Sequence, residues 1–443
     1  MASSASPGLK SSRMPPRNKD HNPSADSGQN GSSRRKFLKS VLGAGSVLTA
    51  SAMSTARASG EKPTRWRAHT VASIPEGYQV AVADVNGDGR LDILALSSSK
   101  NIVEWYQNPF WEPRPVTTAT GKNISLAPLF RQGYPARGLA LASGFYLDHS
   151  SRGGSLWWAA PQRSPNAKWS LSPIDRIPAS HRLRWADLDG DGRLELVDVP
   201  IVGAGSNPPG YSVPSPITWF EMPEALLAGR AKGKALPNGW TPHLMDRSLT
   251  LVHGVLVTDW NDDGRDELLT ASFQGVNLFE FKGRGAKRRW TRTLLTPGDQ
   301  TSQPYRGSSE IGVGSIAGRR FLATIEPWHG NQVAVYTKPS VAQGFSRRQV
   351  IDSSFREGHA LACADLDGDG NDEIVAGYRG PGTSLFIYRA ANKLGTEWTR
   401  ETLDTNMAAS GVVIADVNGD GRLDIVAVGS ATANVKWYEN LGS

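Results

Sequence analysis

Asp84-Val85-Asn86-Gly87-Asp88-Gly89-Arg90-Leu91-Asp92 decides the fold, because the 443-residue chain writes this nonapeptide pattern five times, each copy between two short apolar runs. Its oxygen-bearing side chains are Asp84, Asn86, Asp88 and Asp92. The other copies place theirs at Asp187, Asp189, Asp191 and Glu195, at Asp259, Asn261, Asp263 and Glu267, at Asp365, Asp367, Asp369 and Glu373, and at Asp416, Asn418, Asp420 and Asp424. Side-chain oxygens at the first, third, fifth and ninth positions, a backbone carbonyl at the seventh and a tightly turning glycine at the sixth describe a hard-cation loop. The expected ion is Ca²⁺, with Mg²⁺ as the alternative. An EF-hand is excluded, since the bidentate Glu at the twelfth position is missing and the flanks read as strands.

The flanks set the architecture. Val80 to Ala83 precede the first loop and Ile93 to Leu96 follow it, then a third run ends in aromatics, Val103-Glu104-Trp105-Tyr106. Leu278 to Phe281, Leu385 to Tyr388 and Val435 to Tyr438 repeat that third run, and Trp290 to Leu295 and Trp398 to Leu403 read as fourth strands. Four short strands recurring at roughly 50 to 70 residues predict propeller blades, since one such unit cannot bury its own faces. Two further units lack the acidic loop: Gly138 to Ala142, Gly144 to Leu147 and Leu156-Trp157-Trp158 form one, and Ile311 to Ile316, Phe321 to Ile325 and Val333 to Tyr336 the other. The prediction is an all-β, seven-bladed propeller over residues 59–443. The last blade stops after its third strand, and Arg65 to Val71 supplies the missing one, closing the ring.

These repeats resemble FG-GAP/VCBS repeats, the type found in integrin α-subunit propellers and many exported bacterial proteins. The resemblance, over residues 64–440, implies the fold and the cation but no single function, because such propellers serve as adhesins, scaffolds and lyases alike.

Ser33-Arg34-Arg35-Lys36-Phe37-Leu38-Lys39, an apolar stretch from Val41 to Ala52 and Ala56-Arg57-Ala58 read as a twin-arginine signal with its cleavage site, so residues 1–58 are expected to direct export to periplasm or medium. The apolar stretch is too short to span a bilayer, and no membrane association is expected after cleavage. Those residues hold nine Lys/Arg against two Asp/Glu, so they carry the whole formal charge of +7. The remainder is balanced, which removes the electrostatic case for a nucleic-acid partner. A single cysteine, Cys363, excludes an internal disulfide and reads as a small core residue.

A site emerges when the repeats are superposed. Six residues before the first aspartate of each loop stand Tyr78, His181, His253, His359 and Ser410. Three of eight histidines thus share the start of an innermost strand, which in a propeller surrounds the central axis. The loop joining second and third strands returns to the same end. It carries Glu326-Pro327-Trp328-His329-Gly330-Asn331 in one irregular unit, Asp148-His149 in the other and Tyr378-Arg379-Gly380 in the sixth blade, and the insertion Gly203 to Pro216 rises there too. Two chemistries follow: Zn²⁺ or a similar metal on three imidazoles, or an acid-base pocket in which Arg379 or Arg182 holds an anionic oxygen while Trp328 and Tyr78 stack on a sugar. His181, His253, His359, His329, Glu326, Tyr78 and Arg379 are the candidate catalytic residues.

Glu326 to Val333, Glu357-Gly358-His359-Ala360 and Trp105 to Pro109 are similar to the propeller domain of the aldos-2-ulose dehydratase family. That resemblance implies removal of water from a keto-sugar, and so a small sugar or glycan as partner. The rival class is a non-catalytic module binding a glycan or protein at the same mouth. A third, a pure scaffold, predicts histidines pointing into packed core.

Overall fold

A computed structural model describes residues 64–443 except 163, 230–238, 283–288 and 341–342; the twin-arginine stretch and its cleavage site lie outside the described residues. After β1 (Trp66–Ser73), the strands fall into four-stranded antiparallel sheets. Blade 1 is β2 (Gly77–Ala83), β3 (Asp92–Ser97), β4 (Val103–Gln107) and β5 (Glu112–Thr117), and blade 2 is β6 (Ser125–Leu129), β7 (Gly138–Ser143), β8 (Ser155–Pro161) and β9 (Trp169–Arg176). Blade 3 comprises β10 (Ser180–Ala186), β11 (Glu195–Pro200), β12 (Ile217–Glu221), a one-turn helix α1 (Glu224–Leu227) and β13 (Thr241–Asp246). Blade 4 is β14 (Gly254–Thr258), β15 (Glu267–Ser272), β16 (Gly275–Lys282) and β17 (Arg289–Thr296), and blade 5 is β18 (Glu310–Ile316), β19 (Arg319–Glu326), β20 (Gln332–Thr337) and β21 (Arg347–Asp352). Blade 6 holds β22 (Gly358–Ala364), β23 (Glu373–Tyr378), β24 (Leu385–Ala390) and β25 (Trp398–Asp404). Blade 7 holds β26 (Ala409–Ala415), β27 (Asp424–Gly429) and β28 (Asn434–Asn440), and takes β1 as its outermost strand.

The expected seven blades and their closure are both present. Each innermost strand packs against the next, and β2 meets β26, which makes a closed ring. β1 pairs with β28 from Trp66 opposite Asn440 to Ser73 opposite Asn434. Burial explains the sequence pattern. β3, β11, β15, β23 and β27 are buried along their whole length because neighbouring blades cover both faces, so they read as continuous apolar runs; β25, on the rim, is mostly wet.

One unit was misread from sequence. The inner strand of blade 2 is Ser125–Leu129, and Gly144 to Leu147 is part of the connection from β7 to β8, where Gly144 has φ of 68°. Blade 2 has no acidic loop from which to count, so the sequence pattern does not mark its first apolar run, β6.

The five acidic loops turn as expected, with the sixth-position glycines Gly89, Gly192, Gly264, Gly370 and Gly421 all at φ between 83° and 87°. A Cβ is strained there. The first aspartate gathers backbone amides: Asp84 accepts from Gly87 at 2.7 Å, and Asp416 from Gly419 at 2.7 Å. Carboxylate oxygens of Asp187, Asp189 and Asp191, and of Asp365, Asp367 and Glu373, cluster within 4.8 Å. The ninth position ties the loop to its blade. Asp92 accepts from Val85 and Asn108, and Asp424 from Val417 and Asn440, so each latches its loop to the blade with both oxygens.

Candidate active site

The inner strands bring one residue per blade to the axis at the end opposite the acidic loops. His253 donates its backbone amide to Ala271, and the equivalent bonds of Ile124 to Ala142 and Ser309 to Ile325 show what stands at this position in the two irregular blades. Two residues earlier the chain enters the left-handed region at Glu76, Lys122, Ala179, Leu251, Gly307 and Glu357. That shared turn aims the ring residue inward.

Tyr78, His181, His253, His329 and His359 converge there. Ring centroids of His253 lie 4.8 Å from those of His181, His329 and His359, and Tyr78 lies 5.2 Å from His359. The imidazoles meet one another, with Phe145 also packed against His181. His181, His253 and His359 are buried, and His329 alone keeps partial solvent access. Burial, reinforced by the Arg182 and Arg379 guanidinium charges, pushes all four histidines well below their ordinary value, so they are neutral near pH 7.

Their partners assign the tautomers. A carbonyl only accepts, so His359 donates Nδ1–H to Ser410 O at 2.7 Å, and its buried Nε2 is bare and without a partner. His253 likewise donates from Nδ1 to Ser309 O at 3.0 Å, beside Glu310 Oε1 at 2.9 Å. Arginine only donates. Arg379 Nη2 lies 3.2 Å from His329 Nδ1, which places the His329 proton on Nε2, and that atom faces His253 Nε2 at 3.0 Å. Tyr78 donates to His181 Nε2 at 2.8 Å, which also accepts from Arg182 at 3.1 Å.

Beside the cluster opens a cavity of about 520 Å³ lined by Glu76, Tyr78, Lys122, Phe145, Glu357 and Arg379 among others; Tyr78 and Arg379 border it, and the four imidazoles lie behind them. That volume falls in the ordinary range for a small-molecule site. The Arg379 guanidinium is braced by Glu357 at 3.4 Å.

Comparison with known proteins bears on this arrangement. A family model for the aldos-2-ulose dehydratase β-propeller domain matches residues 153–339, the stretch that holds His181, His253, Glu310 and His329. The likeness read from short motifs holds. An FG-GAP repeat matches residues 77–98 and an FG-GAP-like repeat residues 365–427. Aldos-2-ulose dehydratase of Phanerodontia chrysosporium is 24% identical over 381 residues, which cover 80% of this chain and 40% of that protein. The chain therefore spans less than half the length of this curated relative.

Four expectations need correction. Glu326 does not face the mouth: it ends β19 fully buried, and its carboxylate accepts from Thr324, Tyr336, Ser308 and Arg348 at 2.7 to 3.2 Å, a hub inside blade 5. Trp328 is no sugar platform, because it lies buried, stacked at 4.1 Å behind His329 and flanked by Tyr305 and Tyr211. Arg182 sits beneath the histidines, paired with Glu310 at 3.2 Å, rather than in the open mouth. His149 is on the expected connection but exposed beside Asp148, outside the cluster. The residue missed is Glu310. It directly precedes the apolar run Ile311 to Ile316, as Gly254 precedes Val255, and that alignment was the available signal.

Proposed function

We propose that this chain is an exported sugar dehydratase, a carbon-oxygen lyase that removes water from a keto-sugar at the histidine mouth. The observation that carries the reading is the pairing of unlike tautomers: a bare, unpartnered Nε2 on His359 beside a protonated Nε2 on His329, ring centroids 5.1 Å apart. The likeness to aldos-2-ulose dehydratase supports the substrate class, and the twin-arginine stretch supports export.

In this scheme the keto-sugar binds in the cavity beside the cluster, and its reacting carbons reach the imidazoles past Tyr78 and Arg379. His359 Nε2 takes the proton from the carbon next to the carbonyl, and the electron pair of the broken C–H bond forms an enolate. Arg379 donates to its oxygen, where charge develops, and His329 joins it once its Nε2–H turns from His253 to the substrate. As the enolate collapses into a carbon-carbon double bond, the β-hydroxyl leaves and carries away the His359 proton as water. The neutral imidazoles suit this, since a base must begin unprotonated.

A second reading has its own support. His253, His329 and His359 bring one ring nitrogen each within 4.8 Å, and the Ser309 and Ser410 carbonyls hold two of them in the metal-binding tautomer. These three residues would hold Zn²⁺ or a similar ion, which when bound would polarise a carbonyl or hydroxyl oxygen. The Arg379 contact on His329 Nδ1 favours the metal-free scheme, because His329 must give up its Nε2 proton to become a ligand.

The test is turnover. The purified protein incubated with anhydrofructose and related keto-sugars is expected to yield an unsaturated product absorbing in the ultraviolet. Recovery of bound sugar unchanged would make the mouth a glycan-binding module instead.

A further inference from the structure

Beneath the histidines the axial channel narrows to a cavity of about 50 Å³, between the mouth and the acidic loops. Two guanidinium groups of β10 enter it, Arg182 and Arg184, both more than nine-tenths buried. Arg182 is matched by Glu310, at 3.2 Å. Arg184 is not. Its Nη1 donates to the Leu183 carbonyl at 2.8 Å, its Nε has no partner, and among the described residues no carboxylate lies within ion-pair distance of it. Burial and the neighbouring Arg182 charge pull its pKa down to about 10, against the partial opposition of Glu310, which acts on it without forming an ion pair, so it remains a cation at neutral pH.

The other polar groups around the cavity sharpen the imbalance. The Gln79 amide is held at both ends by the backbone of Leu126, at 2.9 and 3.1 Å. Glu310 Oε1 already serves Arg182 and His253. Ser410 Oγ is buried, borders the same space and has no partner. Much of the remaining wall is apolar, including Val255, Ile311 and Leu361. The space thus has two guanidinium charges against one carboxylate, with unpartnered Arg184 Nε and Ser410 Oγ beside it. A desolvated cation without a counter-charge is strongly unfavourable, and water, which carries no charge, leaves the excess in place.

We infer that this cavity is a binding site for a small inorganic monoanion of halide size, held by Arg184 with Ser410 Oγ as a second donor. The confined volume disfavours sulfate and phosphate. The anion neutralises Arg184 without competing for the Arg182 to Glu310 pair. Through that pair it also sets the field under His181 and His253, which Arg182 and Glu310 touch at 3.1 and 2.9 Å. His359 and Tyr78 also border this cavity, so the anion would lie close under the proposed base; the halide site itself rests on Arg184 and Ser410, and its test reads binding rather than turnover.

Thermal unfolding of the protein at constant ionic strength, with sodium gluconate replaced stepwise by sodium chloride or bromide, tests the site. The melting temperature is expected to climb by several degrees and saturate with halide. Arg184→Met is expected to show no saturable rise and to melt no lower than the parent protein in gluconate, since the buried charge is gone. Crystals of the parent protein grown in sodium bromide are expected to show an anomalous peak in the cavity next to Arg184. A melting temperature indifferent to halide, or a bromide map with water alone in the cavity, overturns the inference. Should Arg184→Met fail to fold, the bromide map of the parent protein decides.

Discussion

His329 Nε2 meets His253 Nε2 at 3.0 Å across the mouth of the ring, and only one proton lies between the two nitrogens when both rings are neutral. Replacing His329, the one cluster histidine that solvent reaches, is therefore a clean way to test the chemistry. His329→Ala is expected to lower kcat/KM on a keto-sugar by about a hundredfold or more, as for the loss of an acid-base group, with the melting curve little changed. His253→Ala should lose as much activity and also melt earlier, because Glu310 and the Ser309 carbonyl then lose a buried donor. Unchanged turnover in both variants would remove the catalytic reading.

Glu326→Gln separates structure from mechanism. Its carboxylate organises blade 5 through Tyr336 and Arg348 and does not touch the cluster. The substitution is expected to reduce stability by about 2 kcal/mol, the scale of lost charge-assisted hydrogen bonds, while kcat/KM at a permissive temperature stays at the parent level. Chemical denaturation and steady-state kinetics on the same preparation check both halves.

Gly254→Ala probes the seam between blades 4 and 5. A Cβ there would stand 2.8 Å from both Glu310 Cα and the Ser309 carbonyl, closer than backbone atoms allow. His253 reaches Glu310 and Ser309 only because this approach is free. The variant is expected to lose about 1 to 3 kcal/mol, as for overpacking, and to lose activity in proportion as His253 is displaced. A crystal structure with the His253 contacts intact would contradict it.

Cation binding at the acidic loops should depend on pH in a defined direction. Burial raises Glu195 to about 8, Glu267 to about 7, and Asp92 and Asp424 to about 6. Folded values above the unfolded ones mean that, without a cation, these groups favour the fold at low pH and lose that contribution as pH rises from about 4 to 8. A cation requires them ionised, so the increase in melting temperature on adding Ca²⁺ to chelator-treated protein is expected to grow over the same window and level off above pH 8. The histidines act oppositely, costing stability as pH falls below about 6.5, their unfolded value. Comparing melts with and without Ca²⁺ at each pH cancels that effect. An increment constant from pH 5 to 8 would mean that these carboxylates take no part.

The sequence showed the site in proportion to how regularly it repeats. His181, His253 and His359 were legible because each stands a fixed six residues before an aspartate, so periodicity alone superposed them. His329 was legible through its place in the returning loop. Glu310 was not, because blade 5 lacks the loop from which to count. Glu326 was read as part of the mouth since it adjoins His329 by three residues, yet it ends a strand whose alternation turns it into the blade. Trp328 looked available in sequence and is covered by Tyr211, which arrives from a different blade. Contacts between blades, unlike the repeat within them, leave no local trace.

The ring is sealed where its two ends meet, with Arg65 donating to Gly442 at 3.0 Å and Leu441 donating back to Arg65 at 2.9 Å. Partners 372 residues apart in the chain, such as Arg67 and Glu439, share that sheet. β1 thus waits for β28 before it has a sheet neighbour, and until then blade 7 presents a raw edge. Synthesis order therefore sets when the axis closes: the imidazoles of blades 3 to 6 can be made and even aligned, but the ring around them stays open until β28 has been made. A chain stopped before β28 would carry the histidines and lack the enclosure.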